Sequence, residues 1–315
     1  MQLNLFKEEI IRGNITYLSK AITLAESTRS DHQDFVQTLI KELNPYRKKS
    51  KRIAVTGIPG VGKSTFIEAL GKHIVKRKQQ LAVLAIDPSS SLSKGSILGD
   101  KTRMEDLARE ELAYIRPSAN NGTLGGITAR TYESILLCEA AGFDNILIET
   151  VGVGQSEVLV SSMTDLFLFL QLPGSGDDLQ GIKRGIMEMA DIIFVNKIDV
   201  FEEKMYKDAK LDIVRSLQFL PTKNSQWKRK IIMGSGLKGN GVAELWDLIE
   251  DYFAHIEANR YYEKNRAAQH KAQSINYIHE LALNKIKKQL LDNPFVEDNS
   301  KTAFEDAKEW FDKFN

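Results

Sequence analysis

The stretch GIPGVGKST at 57–65 constrains this chain more than any other part of it. It follows RIAVT, which reads as a short buried strand, and runs into KSTFIEALGKHIVKRK, which reads as a helix. Strand, Gly-rich turn and helix in that order fit G-x-x-x-x-G-K-[ST], with Gly57, Gly62, Lys63 and Ser64 at the fixed positions. The glycines let successive backbone N–H groups converge on phosphate oxygens, and the helix N-terminus adds a favourable dipole. Gly57, Gly60, Val61, Gly62, Lys63, Ser64 and Thr65 are therefore assigned to phosphate binding. Lys63 would reach the β- and γ-phosphates, and Ser64 would ligate Mg²⁺.

The rest of the chain gives that loop a sheet to sit on. LAVLAID, LAYIRPSA, NILIET, LFLFLQL, DIIFVNK and KIIMGSG read as strands, separated by helical stretches that include TRMEDLARE and ARTYESILLCEAAG. Several of these strands are continuous apolar runs, the pattern of strands covered on both faces. The expected fold is α/β, a mostly parallel sheet flanked by helices as in P-loop NTPases, with helical extensions at both ends. Residues 1–48 form the first extension, 49–256 the nucleotide domain and 257–315 a C-terminal helical arm. Beyond Ala258 the apolar stripe thins into EANRYYEKNRAAQHKAQ, which reads either as a solvated helix or as one packed on another subunit.

FVNKID at 194–199 places Asn196-Lys197-x-Asp199 at a strand end. The Asp199 carboxylate can accept from the ring N–H and the exocyclic amine of guanine, a donor pair that adenine lacks. Lys197 would cover the base plane, and Asn196 would brace the loop. GSGL ends the next strand, and Ser235, Gly236 and Leu237 are placed to offer a backbone N–H to guanine O6. The two boxes favour GTP over ATP.

Two further strand ends carry carboxylates. Asp87 closes LAVLAID and is placed to hold Mg²⁺ or its water. The loop after it, PSSSLSKGSILGDKTRM, contains Asp100, which reads equally as a metal ligand in the GTP state or as a helix N-cap. Glu149-Thr150-Val151-Gly152 has the spacing of a D-x-x-G box with Glu for Asp. Glu149 would hold Mg²⁺ through water, and the Gly152 N–H would contact the γ-phosphate. The catalytic set is therefore Lys63, Asp87, Glu149 and Gly152. In Ras-like enzymes the water-positioning Gln directly follows the Gly of this box. Val153 stands there, and Gln155, two residues on, does not inherit that role. Slow intrinsic hydrolysis follows.

Composition removes several alternatives. A net charge of +1 over 315 residues gives no support to a nucleic-acid or membrane-surface partner. The single cysteine, Cys138, excludes an internal disulfide and a multi-Cys zinc site, and it reads as a small buried residue. No apolar run reaches the roughly 20 residues that span a bilayer, and the N-terminus lacks a signal-peptide core, so a cytoplasmic protein is expected.

ETVGVGQSE, LPGSGDDLQGIKRGI, NKID, AIDPSS and RPSANNGTLGG together resemble the methylmalonyl-CoA mutase-associated GTPases of the MeaB, MMAA and ArgK type. The resemblance runs from about residue 10 to about residue 290. It implies a GTPase chaperone that gates adenosylcobalamin loading and protects or reactivates a cobalamin-dependent acyl-CoA mutase. It also implies a homodimer to which the C-terminal arm contributes. In that family GSGDDLQGIK is an additional switch loop, which here brings in Asp177, Asp178, Gln180 and Lys183. From the residues alone, the same stretch is a polar loop with an N-cap Asp. Glu149 matches the family, whereas GSGL stands where relatives have Ser-Ala-Leu, a change expected to loosen the loop. A metal-inserting GTPase and a transport-linked P-loop ATPase or kinase are the competing readings. The scattered His and lone Cys argue against the first, and the guanine box argues against the second.

Overall fold

The computed structural model describes residues 2–85, 104–117, 124–150, 156–174, 180–295, 297 and 300–313, with backbone alone at 124–128, 156 and 180–184. Seven strands form one sheet: β1 (Lys51–Gly57), β2 (Leu81–Ala85), β3 (Ala113–Pro117), β4 (Asn145–Glu149), β5 (Leu166–Gln171), β6 (Ile192–Val195) and β7 (Lys230–Met233). Their order is β3-β2-β4-β1-β5-β6-β7, and every pairing is parallel. The register sets Val55 beside Glu149 and Glu149 beside Ala85. In an all-parallel sheet the C-terminal end of every strand lies on one edge, so each loop singled out in the sequence after β1, β2, β4, β6 and β7 leaves from that edge.

Alternate residues of the strands feed two cores. Ile53 and Val55 face one side, where they meet Phe66, Ile67 and Leu70 of α4 (Lys63–Lys76) and Leu245, Trp246 and Ile249 of α9 (Val242–Ala258). Ala54, Ile146, Ile148, Phe167 and Phe169 face the other side. There they meet Ile135 and Leu137 of α5 (Leu124–Ala140), Val160 of α6 (Ser156–Ser161), Ile186 of α7 (Gln180–Met189) and Ile213 of α8 (Glu203–Leu217). Each fully buried Leu, Ile or Phe contributes roughly 1.5–3 kcal/mol relative to its exposed state. The N-terminal helices α1 (Leu3–Ile11), α2 (Ile15–Ala25) and α3 (Ser30–Leu43) add a further layer over α5. They seat Ile10, Leu18, Ile22, Leu39 and Leu43 in the same core, while Ile15 stays exposed. Cys138 is fully buried in this layer, and burial pushes its thiol pKa up.

Two segments differ from the sequence reading. TRMEDLARE forms only a 3-10 turn at Leu107–Arg109 among its described residues. Its apolar anchors, Met104 and Leu107, are three residues apart and are both buried by that single turn before the chain enters β3. Past Ala258 the helix breaks at Arg260, which has a left-handed φ of 60°. A second helix follows, α10 (Tyr261–Asp292), and the tail ends in α11 (Ala303–Asp312).

One face of the first five turns of α10 packs on the chain's own body, and the opposite face is exposed. Arg266 donates from Nε to Asp165 Oδ1 at 2.7 Å and from Nη1 to Glu139 Oε1 at 2.8 Å. Arg52 donates to both oxygens of Glu139, at 2.8 and 2.9 Å. Arg47 and Ser50 donate to the same carboxylate. This network lies at the N-terminal end of the sheet, under β1 and β5. Burial would raise the Glu139 pKa, but Arg52, Arg266 and Arg47 outweigh it and hold the carboxyl well below the usual carboxylate range.

Candidate functional site

At the opposite edge β1 ends at Gly57 and α4 starts at Lys63, so the phosphate loop spans the gap between them. Gly62 caps α4 with a φ of 91°, a left-handed conformation that costs a residue with a Cβ about 1–2 kcal/mol. Lys63 Nζ donates to Gly57 O at 2.8 Å and to Ile58 O at 3.4 Å, which curls the ammonium over its own loop. Burial lowers the Lys63 pKa, and the carboxylates of Glu149 and Glu157 oppose that shift.

Ser64, the next residue, donates from Oγ to Glu149 Oε1 at 3.3 Å. A hydroxyl and a carboxylate from two neighbouring elements form an oxygen-donor pair suited to a hard divalent cation. Glu149 is half-buried at the last position of β4. Thr150 is fixed directly after it, through its N–H to Val55 O at 3.1 Å and its hydroxyl to Thr56 Oγ1 at 2.8 Å. Thr65 is exposed on the first turn of α4.

The segment Asn196-Lys197-x-Asp199 connects to the phosphate loop through two side chains. Asn196, buried just past β6, donates from Nδ2 to Val61 O at 2.8 Å and accepts at Oδ1 from the Gly236 N–H, also at 2.8 Å. Three loops are joined by an amide both of whose ends are used, each bond contributing about 1 kcal/mol. Lys197 adopts φ 64° and donates from Nζ to Gly60 O at 2.8 Å. A non-glycine residue in that region costs of order 1–3 kcal/mol and tends to mark a functional site. Its stem therefore extends from the base-reading loop to the phosphate loop. Asp199 is exposed two residues on, Ser235 is buried and Leu237 is exposed.

Gly236 behaves differently from the expectation of a loosened loop. A Cβ there would lie 2.8 Å from Phe66 Cα and 3.0 Å from Phe66 Cβ. The missing methyl lets this loop lie directly against α4.

The structure thus brings Lys63, Ser64, Glu149, Asn196, Lys197 and Gly236 to one edge. Asp87, Asp100, Gly152, Gln155, Asp177 and Asp178 lie outside the described residues. Gln180 and Lys183 fall on the first turn of α7, where only the backbone is described. Among the described residues no group of three or more His, Cys, Asp and Glu could hold a metal ion. No helix among them is long and apolar enough to cross a membrane.

The profile of the family described as "Methylmalonyl Co-A mutase-associated GTPase MeaB" matches residues 18–293. The chain belongs to that family. Its sequence is 51% identical over 238 residues to the "Probable GTPase Rv1496" of Mycobacterium tuberculosis, covering 76% of this chain and 71% of that protein. It is 42% identical over 288 residues to the mouse "Methylmalonic aciduria type A homolog, mitochondrial", covering 88% and 69%. A solved structure, "Crystal structure of LAO/AO transport system kinase", superposes with a TM-score of 0.75 at 31% identity, over 99% of this chain and 97% of that one. MeaB-family membership and the seven-stranded parallel sheet together make this a P-loop NTPase fold.

Sequence reasoning missed one acid of the site. Glu157 lies within the quoted ETVGVGQSE and is 1% exposed, yet its charge acts on Lys63. Its signal was an acidic residue beside Val160 on a short helix that had to bury its apolar face.

Proposed function

We propose that the protein binds GTP with Mg²⁺ at this edge and hydrolyses it slowly. As a switch, it would gate adenosylcobalamin loading and protect or reactivate a cobalamin-dependent acyl-CoA mutase of the methylmalonyl-CoA mutase type. The observation that carries the reading is Asn196 joined at once to the phosphate loop and to the Gly236 N–H. That arrangement holds the guanine-reading loops at a fixed distance from the phosphate cradle.

In this reading the loop of Gly57, Gly60, Val61, Gly62 and Thr65 cradles the phosphates, and Lys63 turns from its carbonyls toward them. Ser64, Glu149 and Asp87 hold Mg²⁺ directly or through water, with Asp100 as a candidate for the GTP state. Gly152 offers its N–H to the γ-phosphate. Asp199 reads guanine, Lys197 covers the base, and Ser235, Gly236 and Leu237 approach O6. Asp177, Asp178, Gln180 and Lys183 form the switch that couples to the mutase. Residues 49–256 are the nucleotide domain, with 1–48 and 257–315 as helical additions. The exposed Ile278, Leu281 and Leu291 of distal α10 support a homodimer formed through the arm. Family membership supports the mutase as partner, and the net charge of +1 supports neither nucleic acid nor membrane. A cytoplasmic location fits the same reading.

The test is steady-state GTP hydrolysis with and without purified methylmalonyl-CoA mutase of the same organism, with ATP as control. Slow GTP turnover that the mutase accelerates is expected. GTP turnover indifferent to the mutase would remove that partner, and equal ATP turnover would remove the guanine assignment.

A further inference from the structure

Along α10 the residues Tyr262, Arg266, Gln269, Gln273, Tyr277 and Glu280 recur every three or four positions and so share one face. Each finds a partner on the chain's own body. Tyr277 donates to Glu133 Oε1 at 3.0 Å, and Arg130 donates to Glu280 at 2.7 Å, both on the α5 side. On the other side α10 meets the segment that links α6 to β5. Gln269, 3% exposed, donates from Nε2 to Thr164 O at 2.8 Å and to Asp165 Oδ1 at 3.0 Å. Gln273, 1% exposed, donates from Nε2 to Ser162 Oγ at 3.3 Å, and its Oε1 accepts from Asn276. Asn265 adds a bond to Thr164 O at 3.3 Å.

Buried amides are costly unless hydrogen-bonded, so a helix that buries two glutamines at one seam fixes whatever they touch. Here they touch the far end of α6. The near end of α6 starts six residues after Thr150, which is pinned to β1; the helix packs against β1 itself and carries the buried Glu157, whose charge opposes the lowering of the Lys63 pKa by burial. The helix α6 is therefore packed on β1, the strand that leads into the phosphate loop, and is held just past its C-terminal end by the C-terminal helix. A helix is stiff over its length, so displacement at one end is felt at the other.

We propose that Gln269 and Gln273 are positioning residues for hydrolysis: through Ser162 and Thr164 they fix α6, so that the C-terminal helix and the Glu149 edge respond to each other. By linkage, what binds the distal part of α10 alters nucleotide handling, and nucleotide binding alters the docking of α10. The proposal rests on the GTPase reading and extends it to an element that touches no nucleotide.

The experiment uses the full chain with Mg²⁺ and GTP in a double-mutant cycle of Gln273→Ala and Ser162→Ala, with Lys271→Ala on the exposed face of α10 as control. Each single substitution is expected to lower kcat about 3- to 10-fold and, by the same linkage, to shift GDP affinity a few-fold, whereas Lys271→Ala shifts neither. The double variant is expected to be no slower than the slower single one. Unchanged kcat in Ser162→Ala and Gln273→Ala, or losses that multiply in the double variant, would overturn the proposal. Ser162→Ala removes a half-buried hydroxyl that also donates to Leu159 O at 2.7 Å, and it keeps the test valid if Gln273→Ala fails to fold. Hydrogen exchange over 265–277 gives the reciprocal readout. Protection there is expected to change on GDP binding in the native protein and not in Gln273→Ala, and an unresponsive helix in the native protein would contradict the proposal. Absence of GTP turnover in the native protein would defeat the hydrolase reading instead, and the GDP response of α10 would still judge this one.

Discussion

At the N-terminal end of the sheet, Glu139 and Asp165 are met by Arg47, Arg52 and Arg266, with every bond shorter than 3.1 Å. At the C-terminal end, Lys63 leans on two backbone carbonyls, one of them at 3.4 Å, and Ser64 meets Glu149 at 3.3 Å. The same sheet carries both arrangements of buried charge. Complete side-chain pairing makes the first a joint that holds the N-terminal segment, β1, α5, β5 and α10 together. Looser contacts to loop carbonyls leave the second able to exchange its partners for a ligand. Burial alone does not separate the two; the kind of described partner does, guanidinium–carboxylate pairs at one end and loop carbonyls and a hydroxyl at the other.

Substitutions at the two ends should therefore have opposite signatures. Glu139→Gln is expected to have the largest effect on stability, about 3–5 kcal/mol, because it strands buried guanidinium groups. Denaturant unfolding measures this, with nucleotide affinity of the folded protein unchanged. Its pH dependence carries a definite sign. Glu139 has a depressed folded-state pKa, so its contribution is fully present above the ordinary carboxylate value of 4.5 and is lost as pH falls below it. The native protein should lose stability more steeply below that pH than Glu139→Gln does, and parallel acid limbs would break the assignment.

Lys63→Ala should do the reverse. GTP binding or turnover falls about 100-fold or more, while the thermal unfolding midpoint stays near that of the native protein. Undiminished turnover would remove the phosphate-loop assignment. Asp199→Asn is expected to reduce the GTP-to-ATP preference about 10-fold, the value of one charge-assisted hydrogen bond, without changing stability. A competition assay reads this, and an unchanged ratio would contradict the base-reading role. The smallest effect is at Gly236→Ala. An added Cβ 2.8 Å from Phe66 Cα must push the loop outward. The cost is about 1 kcal/mol, and guanine nucleotides should bind a few-fold more weakly. Tighter binding would mean that the glycine serves flexibility rather than close approach.

The parts legible in the sequence are those whose residues announce their surroundings. β1, β4, β5 and β6 are near-continuous apolar runs, so a doubly covered parallel sheet followed from them, and a parallel sheet gathers its loops on one edge. The phosphate loop and Asn196 were readable because their chemistry allows few residue types. The first half of α10 was not. Its packed face is Tyr262, Arg266, Gln269, Gln273, Tyr277 and Glu280, which resembles a solvated stripe in every respect except spacing. A polar seam is buried only if its partners exist elsewhere, and Glu139, Asp165 and Thr164 lie about a hundred or more residues away in the chain. Glu157 was missed for a related reason: a carboxylate on a short helix shows its burial only once α6 is placed against β1.

The central claim is that the C-terminal edge of this sheet is a guanine-nucleotide site, and calorimetric titration of the native protein with Mg²⁺-GDP and Mg²⁺-ADP tests it most directly. Saturable GDP binding at one site per chain is expected, with ADP at least about 10-fold weaker. Equal affinity for the two nucleotides, or no binding of either, would contradict it.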